Sequence, residues 1–135
     1  MAVKVLTNAL VTVNAVDLST KSNSVTLNYE LDSVEVTAFG DGGHKFTGGL
    51  QNLTVDIEFM QDFAASLVEA TIFPLVGTTT ALIIRADSGA VSVTNPTYTI
   101  SGAFLASHTP VAGAIGELMM TSLSFTGGTL VKTTA

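Results

Sequence analysis

Apolar and polar residues alternate with a period of two along most of this chain, and that alternation predicts strands. Val11 and Val13 stand against Thr12 and Asn14 in a first strand from Leu10 to Leu18, and the turn-rich run Ser19 to Ser24 follows. Val25, Leu27, Tyr29 and Leu31 then alternate with Thr26, Asn28 and Glu30, a spacing that puts apolar groups on one face of a half-buried strand. Asp32 and Ser33 predict a tight turn into another strand at Val34 and Val36. A glycine-rich loop comes next, followed by Leu53, Val55, Ile57 and Phe59 in alternation with Thr54, Asp56 and Glu58. After Phe59 the period changes. Phe63, Leu67 and Ala70 or Thr71 recur at helical spacing, Asp62 stands where an N-cap belongs, and Pro74 forbids continuation, which predicts one short α-helix over about Asp62 to Phe73.

Beyond the helix, Thr80 to Arg85 is apolar on both faces, as a central strand covered on both sides would be. Tyr98, Ile100 and Phe104 form another strand, with Gly102 as a bulge or point of close approach, and Met119, Thr121, Leu123 and Phe125 lead into Gly127 and Gly128. Closely spaced strands around a single helix predict a mainly β chain, a β-sandwich or partly open barrel in one domain spanning residues 1–135.

Composition sharpens the picture of the surface. Hydrophobic residues make up 47% and charged residues 12% of the chain, about half the usual charged share of a soluble protein. The exterior is therefore built from Thr, Ser, Gly and Asn, and the strands lack the Lys and Pro that ordinarily guard sheet edges. Such edges call for neighbours. Eleven acidic residues against five basic ones give a net charge of −6, and Lys4, Lys21, Lys45, Arg85 and Lys132 are scattered, which argues against phosphate gripping. With no cysteine there is neither a disulfide framework nor a thiolate nucleophile. The N-terminus makes a poor signal-peptide core, and no apolar run approaches the roughly 18 residues of a spanning helix, so no membrane insertion is expected.

Candidate chemistry is sparse. The loop holding Gly40, Asp41, Gly42, Gly43, His44, Lys45, Phe46, Gly48 and Gly49 invites a ligand reading. It fails the phosphate-loop pattern, because Lys45 follows His44 and precedes Phe46, and it has neither dinucleotide nor calcium spacing. A flexible hairpin tip or inter-subunit contact is the favoured reading. His44 and His108 are the only histidines; with Asp41 they make an incomplete metal site, so no metal and no cofactor are expected. No Gly-x-Ser-x-Gly elbow is present, although a triad assembled from distant loops stays open. Glu30, Asp56 and Glu58 fall on the polar side of their strands, where a solvated face outweighs a glycosidase pair. Met119 and Met120 read as core packing and partner contact.

Taken in order, several segments resemble the tail tube (major tail) proteins of long-tailed bacteriophages, particularly those of actinobacterial hosts. They are Val25 to Tyr29, Val36 to Asp41, Gly48 to Leu50, Leu53 to Phe59, Gln61 to Ala65, Leu75 to Thr78, Asn95 to Tyr98 and the final Gly127 and Gly128. The resemblance covers nearly the whole chain, and none of its segments is a catalytic signature. It implies a non-enzymatic virion protein, made in the host cytoplasm, whose copies join their sheets into a ring, commonly a hexamer. Rings then stack into a hollow tube that holds a tape measure and conducts DNA, with tail-tip and tail-terminator proteins as further partners. In that frame the glycine loop becomes a stacking element, and Glu30, Asp56 and Glu58 become candidates for an acidic lumen. The competing classes are another virion protein, such as a capsid decoration or tail terminator, and a small β-sandwich binding module. The latter is disfavoured by the lack of Trp and by the inward parity of Tyr29 and Tyr98.

Overall fold

The computed structural model describes residues 3–135, so Met1 and Ala2 of the N-terminal reading lie outside it. Eight strands form one antiparallel sheet that does not close: β1 (Leu10–Val13), β2 (Val16–Asp17), β3 (Ser22–Glu35), β4 (Phe46–Met60), β5 (Thr79–Arg85), β6 (Thr97–Leu105), β7 (Met120–Thr126) and β8 (Thr129–Thr133). Their order is β2-β1-β5-β6-β7-β4-β3, with β8 also on β6. The mainly β, partly open architecture expected from the alternation is what the chain adopts.

The sheet turns a corner where β7 passes into β8. β4 pairs with β7 from Thr54 to Met60, whereas β6 meets β7 only at Phe104 and Leu105 and then pairs with β8 from Ser101 back to Thr97. Gly127 and Gly128 make the bend, both at positive φ. A Cβ on Gly128 would collide with the Ser101 carbonyl and lie 3.0 Å from Gly102 C, so only glycine fits. Gly102 is thus the close-approach point its place in the strand suggested.

The corner folds the two halves of the sheet over one core. Leu53, Val55, Ile57, Phe59, Leu123 and Phe125 come from one half, Val11, Val13, Leu82, Ile84 and Ile100 from the other. Each such side chain contributes roughly 1.5–3 kcal/mol before entropy is subtracted. β5 is central, between β1 and β6, but it is covered on one face only: Leu82 and Ile84 are buried while Ala81 is exposed and Ile83 half-buried. Met119 and Met120 are half-buried and stand outside the core cluster, contrary to their core reading.

The helix is shorter than the spacing predicts. α1 spans Val68–Ile72 and continues as one 3-10 turn, Phe73–Leu75, with Val68 and Ile72 in the core. Leu67 is its N-cap. Asp62 caps no helix: its carboxylate accepts the Ala64 amide at 2.9 Å and pairs with Lys21 at 3.0 Å, while its carbonyl accepts from Glu69 N. The reason is local, since Ser66 takes positive φ and breaks the helical path between Asp62 and Val68.

Candidate assembly surfaces

The candidate surfaces begin with the β3–β4 hairpin. Asp32 and Ser33 do not turn the chain; β3 runs unbroken to Glu35, and the irregularity falls on its partner, where Gly49 and Leu50 stand opposite Asp32 alone. This is a β-bulge, which twists a ribbon and ends regular pairing. A Cβ on Gly49 would lie 3.0 Å from Asp32 Cβ and 3.1 Å from Val34 Cγ2, so the bulge closes tightly around glycine.

Past Leu53 the hairpin leaves the body. β7 pairs with β4 only as far as Thr54, the Leu130 amide of β8 donates to Gln51 Oε1 at 3.0 Å, and from Leu50 outward β3 is the strand that pairs with β4. Both faces of this two-stranded arm meet solvent, and Leu31, Val34, Val36, Phe46 and Leu50 are all exposed. They are divided between the two faces, Leu31 and Phe46 on one and Val34 on the other, and apolar surface left uncovered in this way is what interaction sites on soluble proteins show.

The arm ends in residues 36–45, which are internally bonded. The Val36 amide donates to the Lys45 carbonyl at 2.8 Å, the Lys45 amide to Thr37 Oγ1 at 2.9 Å, and the Ala38 amide to Asp41 Oδ2 at 2.8 Å. Lys45 Nζ meets Asp41 Oδ1 at 2.9 Å, and His44 Nδ1 bonds Glu35. The Ala38 amide, and then Lys45, hold the Asp41 carboxyl below its ordinary value; His44, and then Thr37, do the same for Glu35. Gly40 supplies the positive φ of the turn, and Phe39 projects fully exposed beside it. Of the sequence-predicted loop residues, Gly40, Asp41, Gly42, Gly43, His44 and Lys45 lie in this tip. Phe46, Gly48 and Gly49 belong to β4.

A second surface is the outward face of β3, β4 and β7. Glu30 stands opposite Asn52; Asp56 lies between Thr26 and Ser124, and Glu58 between Ser24 and Ser122. The three carboxylates thus share one face with hydroxyls and amides, and the strand positions on this face include no Lys or Arg. Groups of three or more His, Asp or Glu able to hold a metal are absent among the described residues.

The third feature is the long edge of β3. Its sequence from Ser22 to Glu35 contains no Lys, Arg or Pro, and it ends the strand order with its outer backbone groups unpaired. A long edge without such guards is a template for strand addition.

The two histidines part company. His44 is exposed on the tip, whereas the His108 side chain is 2% exposed and bonds Glu69 at 2.8 Å through Nε2. Its Nδ1 faces Thr121 Oγ1 at 3.3 Å, and Gln61 Nε2 joins the same Glu69 and the Pro110 carbonyl. This hydroxyl, imidazole and carboxylate series has the order of a hydrolytic triad, yet Thr121 is 1% exposed and cannot meet a substrate. Its effect is to fasten the 106–119 loop to α1 and β7. No sequence spacing announced it, because the three residues come from separate elements. No helix among the described residues is long and apolar enough to cross a membrane.

No protein-family model matches the chain, and no curated protein matches it in sequence. Solved structures share its fold. A chain of an extracellular contractile injection system, the PVC sheath-tube complex in its extended state, superposes with a TM-score of 0.70 at 14% identity, over 98% of this chain and 92% of that one. A chain of the PVC sheath/tube terminator structure gives 0.71 at 14% identity over 96% of each. A chain from the tail of an empty gene transfer agent particle of C6 symmetry gives 0.55 at 16% identity over 85% of this chain and 83% of that one.

Proposed function

We propose that this chain is a structural tail protein that assembles with copies of itself into rings stacked as a hollow tube. The observation that carries the reading is the β3–β4 arm, a two-stranded ribbon whose apolar residues the core leaves uncovered. Likeness of fold to components of tube-bearing particles supports it. In this reading the free edge of β3 joins the sheet of a neighbouring copy within a ring, commonly a hexamer, and the arm tip reaches the next ring. Such head-to-tail contacts close where the rotation permits and extend where it does not.

The acidic, hydroxyl-lined face bearing Glu30, Asp56 and Glu58 is assigned to the lumen. A surface without cations offers a passing duplex no phosphate grip, so DNA slides through without being held. Tape-measure, tail-tip and terminator proteins are the partners this role requires, and the protein acts within the virion without catalysing a reaction. One observation favours a second reading, a terminator-like component forming a single ring: the likeness to the sheath/tube terminator structure is as good as that to the sheath-tube complex.

Sedimentation velocity across a concentration series separates the two. A tube subunit gives a boundary that spreads to ever larger species as concentration rises. A terminator stops at one ring, and a binding module stays a monomer throughout.

A further inference from the structure

The unclosed sheet leaves an apolar groove of about 370 Å³ between the inner face of β3 and the facing β5 and β6. Leu27 and Tyr29 form one wall, Ile84 and Tyr98 the other, and Arg85 lies at the rim. Tyr29 has the inward parity its strand predicts, opposite buried Leu53, yet it is 46% exposed because nothing fills the opening. An apolar cavity of about 150 Å³ already admits a benzene ring, so this groove accepts an aromatic side chain together with a neighbouring residue.

The arm carries a matching knob. Phe39 stands fully exposed at its tip, and two tyrosine rings in the groove suit edge-to-face contact with a third ring. Charge agrees: the arm holds Asp32, Glu35 and Asp41 against Lys45, while Arg85, whose guanidinium donates to Thr97 Oγ1 and the Gly89 carbonyl, has no carboxylate partner among the described residues. The arm cannot reach the groove of its own chain. Tyr29 and Glu35 are six residue steps apart on extended strand, about 20 Å at 3.3 Å per residue, and Phe39 lies further out along an arm that points away.

We propose that the occupant is a second copy, with Phe39 of one subunit seated between Tyr29 and Tyr98 of the next. Knob and groove are different patches, so the contact is heterologous and repeats without self-termination. The length of the arm then sets the step between successive copies. This proposal rests on the tube reading and adds the acceptor of the arm.

The absence of native cysteine makes cross-linking a clean test. Ala38→Cys, which keeps the Phe39 ring, is combined in turn with Ala9→Cys and Ala86→Cys, which lie on the groove lining, and each protein is oxidised after assembly and run without reductant. A disulfide needs Cα atoms about 4.4–6.8 Å apart, which the arm forbids within one chain. The expected result is a ladder of covalent oligomers from at least one double variant, with nothing beyond dimers from the single ones. Phe39→Ala shortens the tubes at unchanged melting temperature. Tubes of normal length without a ladder from either pair overturn the contact and leave the tube reading standing. A dispersed chain without a ladder overturns both.

Discussion

Phe59 and Phe46 belong to one strand, β4, and both have β3 as antiparallel partner, yet Phe59 is 0% exposed and Phe46 is 62% exposed. The difference is the third strand. Around Phe59, β7 pairs with the far side of β4 and the opposite half of the sheet supplies a core; around Phe46 there is neither. A two-stranded ribbon alone is at best marginally stable in water, so the distal half of the hairpin depends on its bulge, its bonded tip and, in our reading, its neighbours. In our reading one half of the hairpin serves folding and the other assembly.

Substitutions should separate the two halves, and the largest effect belongs to the body. Phe59→Ala should cost about 3–5 kcal/mol, read from the shift in denaturation midpoint at constant m-value. Phe46→Ala should stay within about 0.5 kcal/mol and instead reduce assembly. Equal losses at the two sites would erase the division.

Glycine gives the next contrast. Gly128→Ala forces a side chain into left-handed backbone against Ser101 at the corner of the sheet, and should destabilise by about 1–3 kcal/mol from the backbone strain alone. Gly49→Ala crowds Asp32 and Val34 in the arm. It should alter amide exchange along residues 31–35 and 46–50 while the melting temperature holds.

Replacing residues 37–44 by Asn-Gly, a two-residue hairpin turn, should leave the circular dichroism and melting temperature unchanged and abolish elongation. Tubes of undiminished length would remove the tip from the assembly mechanism.

The smallest effect is that of acid. Asp62 in the body is held below its ordinary value by the Ala64 amide and then by Lys21, as Asp41 and Glu35 are in the tip. A carboxyl with a lowered folded-state value contributes fully above the unfolded value, and that contribution is lost as pH falls through the lowered one. Asp62→Asn should therefore flatten the melting temperature against pH in the acid range only. Glu35→Gln should leave that curve alone and instead speed exchange of the Val36 and Lys45 amides.

Much of the body was legible because its alternation and its burial obey the same period. Leu53, Val55, Ile57 and Phe59 announce their strand, and all four are buried. The arm was misread where pattern and pairing diverge. The apolar set moves from odd positions ending at Leu31 to even ones at Val34 in β3 and Val36 just beyond it, which in a strand with one dry face signals a turn. With solvent on both sides no face is privileged, and the strand continues. Asp62 misled for a similar reason: its carboxylate does accept a following amide, as a cap would, but Ser66 stops the helix from starting there. The polar face of Glu30, Asp56 and Glu58 followed from parity alone. The groove between Tyr29 and Tyr98 did not, since it exists only where two sheet halves fail to close.

Negative-stain electron microscopy of the purified chain over a concentration series, beside the variant with residues 37–44 replaced, tests the central claim most directly. The account predicts hollow tubes that lengthen with concentration for the native chain, and folded but unstacked particles for the variant. Dispersed native particles at every concentration, or variant tubes as long as native ones, would contradict it.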